Sequence, residues 1–239
     1  MQNLIIAVGL IIVVWVGFMF FGNDQEEVSN QMKEATQEQL EEINSTSNNE
    51  QTTIQSGSYE IDVAESEVKW AGKKPLIDGY INSGTIGLNE GGVQIDENGI
   101  MSGSFIIDMQ TLRVGLTAKK PGQETKLEEH LKSDRWFDVE TYPNANFVIN
   151  KVTAKSTDSA NTSYDIEGDL TIKGQTHTIT FPATIEQGSD GQVVAEATTK
   201  IDRTKWGLTA GSSSFFDNLA DNVIDDMIEL SFKLVANKQ

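Results

Sequence analysis

Residues 164–181 read YDIEGDLTIKGQTHTITF. Tyr164, Ile166, Leu170 and Ile172 alternate with Asp165, Glu167, Asp169 and Thr171. After the interruption at Lys173–Gly174, His177, Ile179 and Phe181 alternate with threonines. Successive side chains of an extended strand point to opposite faces, so a period of two marks strands with one apolar and one wet face. The same period recurs outward in both directions. Tyr59, Ile61 and Val63 alternate with Glu60 and Asp62, and Val68 and Trp70 with Glu67 and Lys69. Met101, Phe105, Ile107 and Met109 share one face, and Ile224, Ile228, Leu230, Phe232 and Leu234 share another. Runs at 82–88, 145–152, 175–184 and 193–201 bring the expectation to about eight to ten strands between Ser58 and Gln239. Strands with one wet face belong to an antiparallel sandwich or a closed barrel. The four prolines, Pro75, Pro121, Pro143 and Pro182, are expected at strand ends or in loops. The best helical signal is Gly122–Ser133, where Leu127 and Leu131 stand four apart among Lys and Glu.

The N-terminal region is different in kind. Leu4–Phe21 is eighteen residues without a charge, long enough to cross a slightly thinned bilayer. It lacks a basic n-region, and Phe20-Phe21-Gly22-Asn23 is a poor cleavage context, so residues 1–22 read as an uncleaved signal anchor, a cleaved leader being the alternative. With three residues before the span and an acidic stretch after it, the remainder is expected on the translocated side. Residues 23–57 are rich in Gln, Glu, Asn, Ser and Thr and cannot bury a core, which makes them a polar, acidic linker, partly helical at most. Residues 58–239 are the folded domain. The chain has no cysteine, so it carries neither disulfides nor a lipidated cysteine.

The 18 Lys and Arg against 36 Asp and Glu give a net charge of −18. A surface of that sign repels nucleic acid and anionic headgroups alike. Residues able to carry chemistry are few. His130, in LEEHLKSD, reads as a solvated helix residue, whereas His177 has the parity of Ile179 and Phe181 and should face the apolar side. Two distant histidines do not make a metal site. GLTAGSSSFF, residues 207–216, does not fit a nucleophile at a strand-to-helix turn, and reads as a polar loop. DNLADNVIDD, residues 217–226, lacks the order of a calcium loop and reads as a solvated acidic turn. No carboxylate pair stands out. The aromatic residues are more informative, because Trp70, Phe105, Phe147, Tyr164, Phe181, Trp206 and Phe232 all fall at or near apolar-face parity. They form either an ordinary core or the lining of a cavity for a small apolar ligand.

Several segments, taken in order, resemble the YceI-like family of periplasmic polyisoprenoid-binding proteins. They are Val68–Lys74 (VKWAGKK), Gly103–Met109 (GSFIIDM), His130–Val139 (HLKSDRWFDV) and Tyr142–Phe147 (YPNANF), then Gly168–Gly174 (GDLTIKG), Ile201–Gly207 (IDRTKWG) and Ser214–Asp217 (SFFD). The resemblance runs through nearly all of 58–239. It implies an all-β, extended up-and-down antiparallel barrel of the lipocalin-like kind, with about eight strands and one or two short helices, whose apolar channel takes a long isoprenoid tail. It implies binding without catalysis. Asp202 and Arg203 are expected to pair across a barrel end and Phe137 to plug one. Glu65 and Lys173 stand where many relatives carry His, which bears on headgroup choice.

Parity and resemblance together predict a channel lined by Trp70, Phe105, Ile107, Phe147, Ile166, His177, Ile179, Phe181, Leu230 and Phe232. The expected function is sequestration or transport of a quinone or polyprenyl lipid. The barrel is expected in the periplasm, held at the inner membrane by the N-terminal helix or released after leader cleavage, with a homodimer left open. The alternative is a structural or stress-related envelope protein whose barrel is filled by its own side chains.

Overall fold

The computed structural model describes residues 54–99, 101–156, 163–188 and 190–239. The predicted span at 4–21 and most of the linker lie outside them. Among the described residues no helix is long and apolar enough to cross a membrane. The strands are β1 (Gly57–Ile61), β2 (Glu67–Lys73), β3 (Ile81–Ile95), β4 (Met101–Thr117), β5 (Asn144–Ser156), β6 (Ser163–Ile172), β7 (Gln175–Gln187), β8 (Val193–Asp202) and β9 (Met227–Lys238). One helix, α1 (Glu124–Lys132), lies between β4 and β5, and 3₁₀ turns occupy Arg203–Trp206 and Ala220–Asn222.

All pairings are antiparallel, each strand from β2 onward pairs with its neighbour in sequence, and β9 returns to β2. The sheet is therefore a closed up-and-down barrel. Nine strands make eight staves, because β1 and β2 occupy one slot. β1 pairs with Gly92–Ile95 of β3 and Ala236–Lys238 of β9, while β2 pairs with Ile81–Ile86 and Glu229–Lys233 of the same two strands. The chain leaves the ladder between them, and side chains repair the break. The Val235 amide donates to Ser66 Oγ at 2.9 Å, and the Val235 carbonyl accepts from the Asp62 amide at 2.8 Å. Val63, read from its parity as a strand residue, sits in this break and is 43% exposed. The alternation alone did not reveal a stave interrupted for five residues.

The barrel has a helix end and a turn end. At the helix end lie the β2–β3 turn (74–80), the β4–α1–β5 connection (118–143), the β6–β7 turn (173–174) and the β8–β9 loop (203–226). The wall is complete toward the turn end but split toward the helix end. There β7 and β8 pair only through Ala183–Gln187 and Val193–Ala197, although β6–β7 and β8–β9 pairing continues well beyond. Pro182 stands just where the β7–β8 ladder stops, inside a strand and not at its end. A residue without an N–H is tolerated there because no ladder bond to β8 is required of it. The 3₁₀ turn at 203–206 packs against β7 beside the split. Ile224, read as the start of the last strand, belongs to the loop, and β9 begins at Met227.

Candidate functional site

The interior holds two cavities that meet at Val68, Ile107, Leu170 and Leu230, residues lining both. The upper cavity, toward the turn end, measures about 130 Å³ and the lower about 150 Å³. A void needs only roughly 10–15 Å³ on this measure to hold a water, so each has room for on the order of ten water-sized groups. Close-packed interiors leave few voids larger than one water. This barrel is hollow.

The upper cavity presents no polar surface, since even Glu196, the charged residue on its lining, shows it only apolar atoms. One wall is a run of aromatic rings. Phe147 lies 6.4 Å from Phe105 and 5.7 Å from Phe181, and Phe181 lies 5.0 Å edge-on to Phe232. Gly168, on the inner face of β6, makes room for this row, because a Cβ there would stand 2.3 Å from Phe147 Cζ and 2.6 Å from the Val148 carbonyl. Tyr59 is on the lining near the turn end, its hydroxyl donating to the Gln55 carbonyl at 2.8 Å and accepting from Gln187 Nε2 at 3.1 Å.

The lower cavity is walled by β2, β3 and β4 and by the segments that close the helix end. Leu127 and Leu131 of α1, Trp136, Phe137, Leu208 and Ile224 line it, and its lining reaches Lys73, Lys74, Tyr80 and Asn82 at the β2–β3 turn. Arg203, 1% exposed, organises this closure. Its guanidinium donates to the carbonyls of Asp225 (3.0 Å), Ile224 (3.1 Å) and Leu208, meets Asp226 Oδ1 at 3.4 Å and lies 5.4 Å from the Trp136 ring. Burial pushes the Arg203 pKa down, opposed by Asp226, Asp202 and Asp225. Burial pushes the Asp226 carboxyl up, but hydrogen bonds from Ser212 and Ser214 and the charge of Arg203 outweigh it and hold the carboxyl below its ordinary value. The expected Asp202–Arg203 pair gives way to this arrangement. Asp202 instead caps the 3₁₀ turn, accepting from the Thr204 amide at 3.0 Å and hydroxyl at 2.6 Å. The aspartates 225 and 226, read as part of a solvated turn, are structural partners of Arg203 and of Lys73, whose Nζ is 3.2 Å from Asp225.

Of the ten predicted lining residues, Phe105, Phe147, Ile166, Ile179, Phe181 and Phe232 line the upper cavity, Ile107 and Leu230 line both, and Trp70 lines the lower. His177 is on neither lining. Its parity is inward, as predicted, but it lies beside the split in the wall, 5.1 Å edge-on to the Trp206 ring, which is itself 1% exposed and donates to the Leu170 carbonyl at 3.0 Å. Glu65 and Lys173 also lie off both linings. Glu65 is in the strand break and flanks a groove on the outer face. Lys173 ties the β6–β7 turn to the loop after α1, its Nζ donating to the carbonyls of Asp134 and Trp136 at 2.8 Å each.

What parity reasoning missed is the part of the lower cavity that loops and α1 build. Its loop residues have no period to read, and the available signal is the HLKSDRWFDV and IDRTKWG segments that carry the family resemblance. A β-bulge hid others. Met101, Phe105 and Met109 face inward at odd positions, but Leu112 and Val114 do so at even ones, after Thr111 Oγ1 has accepted the Gly87 amide at 2.7 Å. Among the described residues no three His, Cys, Asp or Glu side chains converge to hold a metal ion.

Solved structures share the barrel. BcnA of Burkholderia cenocepacia is similar over 74% of this chain and 99% of its own, with a TM-score of 0.53 at 23% identity. A polyisoprenoid-binding domain from Saccharophagus degradans, implicated in plant cell wall breakdown, is similar over 77% of this chain and all of its own, with a TM-score of 0.57 at 16% identity. A UPF0312 protein of Pseudomonas putida is 35% identical over 75 residues, which is 31% of this chain and 37% of that protein. The sequence profile of the YceI-like domain matches residues 59–236, nearly the whole barrel from β1 to β9. The chain belongs to the YceI-like family.

Proposed function

We propose that the barrel binds a long-chain isoprenoid lipid of the quinone or polyprenyl type without transforming it, and sequesters or carries it in the periplasm. The observation that carries this reading is an upper cavity with no polar surface, continuous in its lining with a lower cavity that reaches polar side chains at the barrel end. The lower cavity is itself almost wholly apolar and meets polar groups only at that end, as an isoprenoid does at its head, so the tail belongs above, among Phe105, Phe147, Phe181 and Phe232. The oxygen-bearing head belongs below, toward Lys74, Tyr80 and Asn82. Apolar burial at ~25 cal/mol per Å² makes a few hundred Å² worth several kcal/mol before association costs, so no charged partner is required. The similarity to a polyisoprenoid-binding domain supports the reading. Leu4–Phe21 would hold the barrel at the inner membrane that supplies the ligand.

Native mass spectrometry of residues 54–239, followed by organic extraction, tests it, since two solved relatives consist almost wholly of this barrel. The expected result is a bound species whose released mass is an isoprenoid. A protein that stays empty after incubation with quinones and polyprenols overturns the proposal.

A further inference from the structure

We propose that the helix end of the barrel is a docking rim for a lipid bilayer. In this arrangement Leu76, Ile81, Leu116, Phe215 and Phe216 enter the acyl boundary, and Lys74, Lys119 and Lys120 lie at headgroup level. The inference rests on the lipid-binding reading and adds where the protein meets its ligand's source.

Large apolar side chains exposed on this chain are not scattered. Eight are strongly exposed among the described residues, and six of them belong to the helix end, namely Leu76 (62%), Ile81, Leu116, Phe215 (56%), Phe216 and Met227. The segments that carry them interlock. The Ala118 amide donates to the Ile81 carbonyl at 3.1 Å, and Leu116 is paired across from Ser83. Lys119 Nζ lies against Gly79, within 3.4 Å of where a Cβ would stand. On the other side, Lys74 Nζ donates to Asn222 Oδ1 at 3.3 Å, and the Asp225 amide donates to the Lys73 carbonyl at 2.9 Å, joining the β2–β3 turn to the loop that holds Phe215 and Phe216. Clustered apolar side chains on a surface mark an interaction site.

Charge indicates which occupant. The chain is strongly acidic, and the turn end follows it, with Asp96 and Glu97 in the β3–β4 turn and Asp190 in the β7–β8 turn. At the helix end Lys119 and Lys120 are exposed beside Leu116 and Ile81, and neither forms an ion pair among the described residues. Asp78, Glu129, Asp134, Glu140, Asp217 and Asp221 are also exposed at this end, so attraction to anionic headgroups is confined to the side of Lys119 and Lys120, and apolar insertion supplies the rest. Lysines beside exposed Leu, Ile and Phe are the composition of a surface that lies in a membrane interface. The lower cavity lining reaches Lys73, Lys74 and Tyr80 of the same turn. A barrel docked this way presents its cavity to the bilayer.

The chain contains no cysteine, so single labels are straightforward. Full-length protein carrying Leu76→Cys, Leu116→Cys, Phe216→Cys or, as turn-end reference, Asn98→Cys would be nitroxide-labelled and reconstituted with phosphatidylethanolamine–phosphatidylglycerol vesicles. All four share residues 1–53, so differences between sites report the barrel end. Collision with oxygen against collision with a nickel chelate then gives depth. The first three labels are expected to gain oxygen access and lose nickel access, while the label at 98 stays aqueous. Four aqueous labels overturn the proposal. So does nickel protection accompanied by spin–spin broadening that vanishes on dilution with unlabelled chain, because a second copy then covers the patch. Isoprenoid uptake is extracted and weighed separately, so uptake without depth sinks this inference alone, and depth without uptake sinks the binding reading. The Leu76→Asp/Phe216→Asp pair is expected to slow uptake from vesicles roughly tenfold or more while leaving detergent-delivered lipid bound as before.

Discussion

The two halves of the barrel are held together by different physics. Toward the turn end every stave is paired, the interior is apolar, and the aromatic row from Phe105 to Phe232 forms one wall. Toward the helix end β7 and β8 part, and closure depends on α1, on the loops after α1 and β8, and on the hydrogen bonds that Arg203 makes to three carbonyls and one carboxylate. Water cannot substitute for apolar contacts in the first half. In the second, the apolar packing of Leu131, Trp136, Val139 and Leu208 is joined by the polar interactions around Arg203, for which water competes. A rigid container with an openable closure is what reversible lipid uptake requires, and the difference shows which half should yield first.

The largest effect is expected at the closure. Arg203→Met keeps much of the side-chain volume but leaves the carbonyls of Leu208, Ile224 and Asp225 without their donor and Asp226 without its counter-charge. Breaking a buried, hydrogen-bonded ion pair by removing one partner costs about 3–5 kcal/mol. Urea unfolding should show that loss, and Arg203→Lys should recover only part of it because an ammonium cannot present a planar fork to several acceptors. A loss below about 1 kcal/mol would mean that the closure is held by apolar packing, as the other half is.

In the upper half Phe181→Ala should cost about 3 kcal/mol, the lower part of the range for a buried Phe, because one side of the ring already faces an empty cavity. It removes contacts to both Phe147 and Phe232 and should also weaken isoprenoid retention. Trp70, Trp136 and Trp206 all lie at the helix end, so their fluorescence should be nearly unchanged in this variant and clearly altered in Arg203→Met. If both variants disturb the tryptophans equally, the two halves form one cooperative unit and the contrast between them fails.

The same contrast explains what was readable beforehand. The upper half is built from strands, and a period of two placed Phe105, Phe147, Ile166, Phe181 and Phe232 on its inner face without any structure. A barrel and a sandwich share that period, so closure itself came from the family resemblance. The lower half is built from loops. Nothing in DNLADNVIDD announces that its last two aspartates meet Lys73 and Arg203, because those partners are distant in sequence. His177 shows the limit of parity from the other side. Its direction was right, but parity does not record that the neighbouring stave has parted and that Trp206 occupies the place of the cavity.

Acid should produce the smallest effect, again at the helix end. Three carboxyls there are held below their ordinary values. Glu124 is lowered first by the hydrogen bond from Thr117. Glu128 is pushed up by burial but pulled further down by Lys132 and Arg113, and Asp226 is lowered as described above. A carboxyl whose pKa is depressed by folding adds stability at every pH above its unfolded value, and that stability is lost as pH falls through the folded value. The unfolded values are 4.5 for the glutamates and 3.8 for the aspartate, so the loss begins below about pH 4.5 and continues as these groups protonate. Glu124 and Glu128 are half-buried and still reached by solvent, which keeps their individual effects slight. Hydrogen exchange in segments 118–143 and 203–226 should therefore quicken on acidification before exchange in the upper parts of β6 and β7 does. Asp226→Asn should raise exchange in 203–226 at neutral pH and flatten its response to acid. Equal acceleration in both halves would show that the closure carries no separate acid lability.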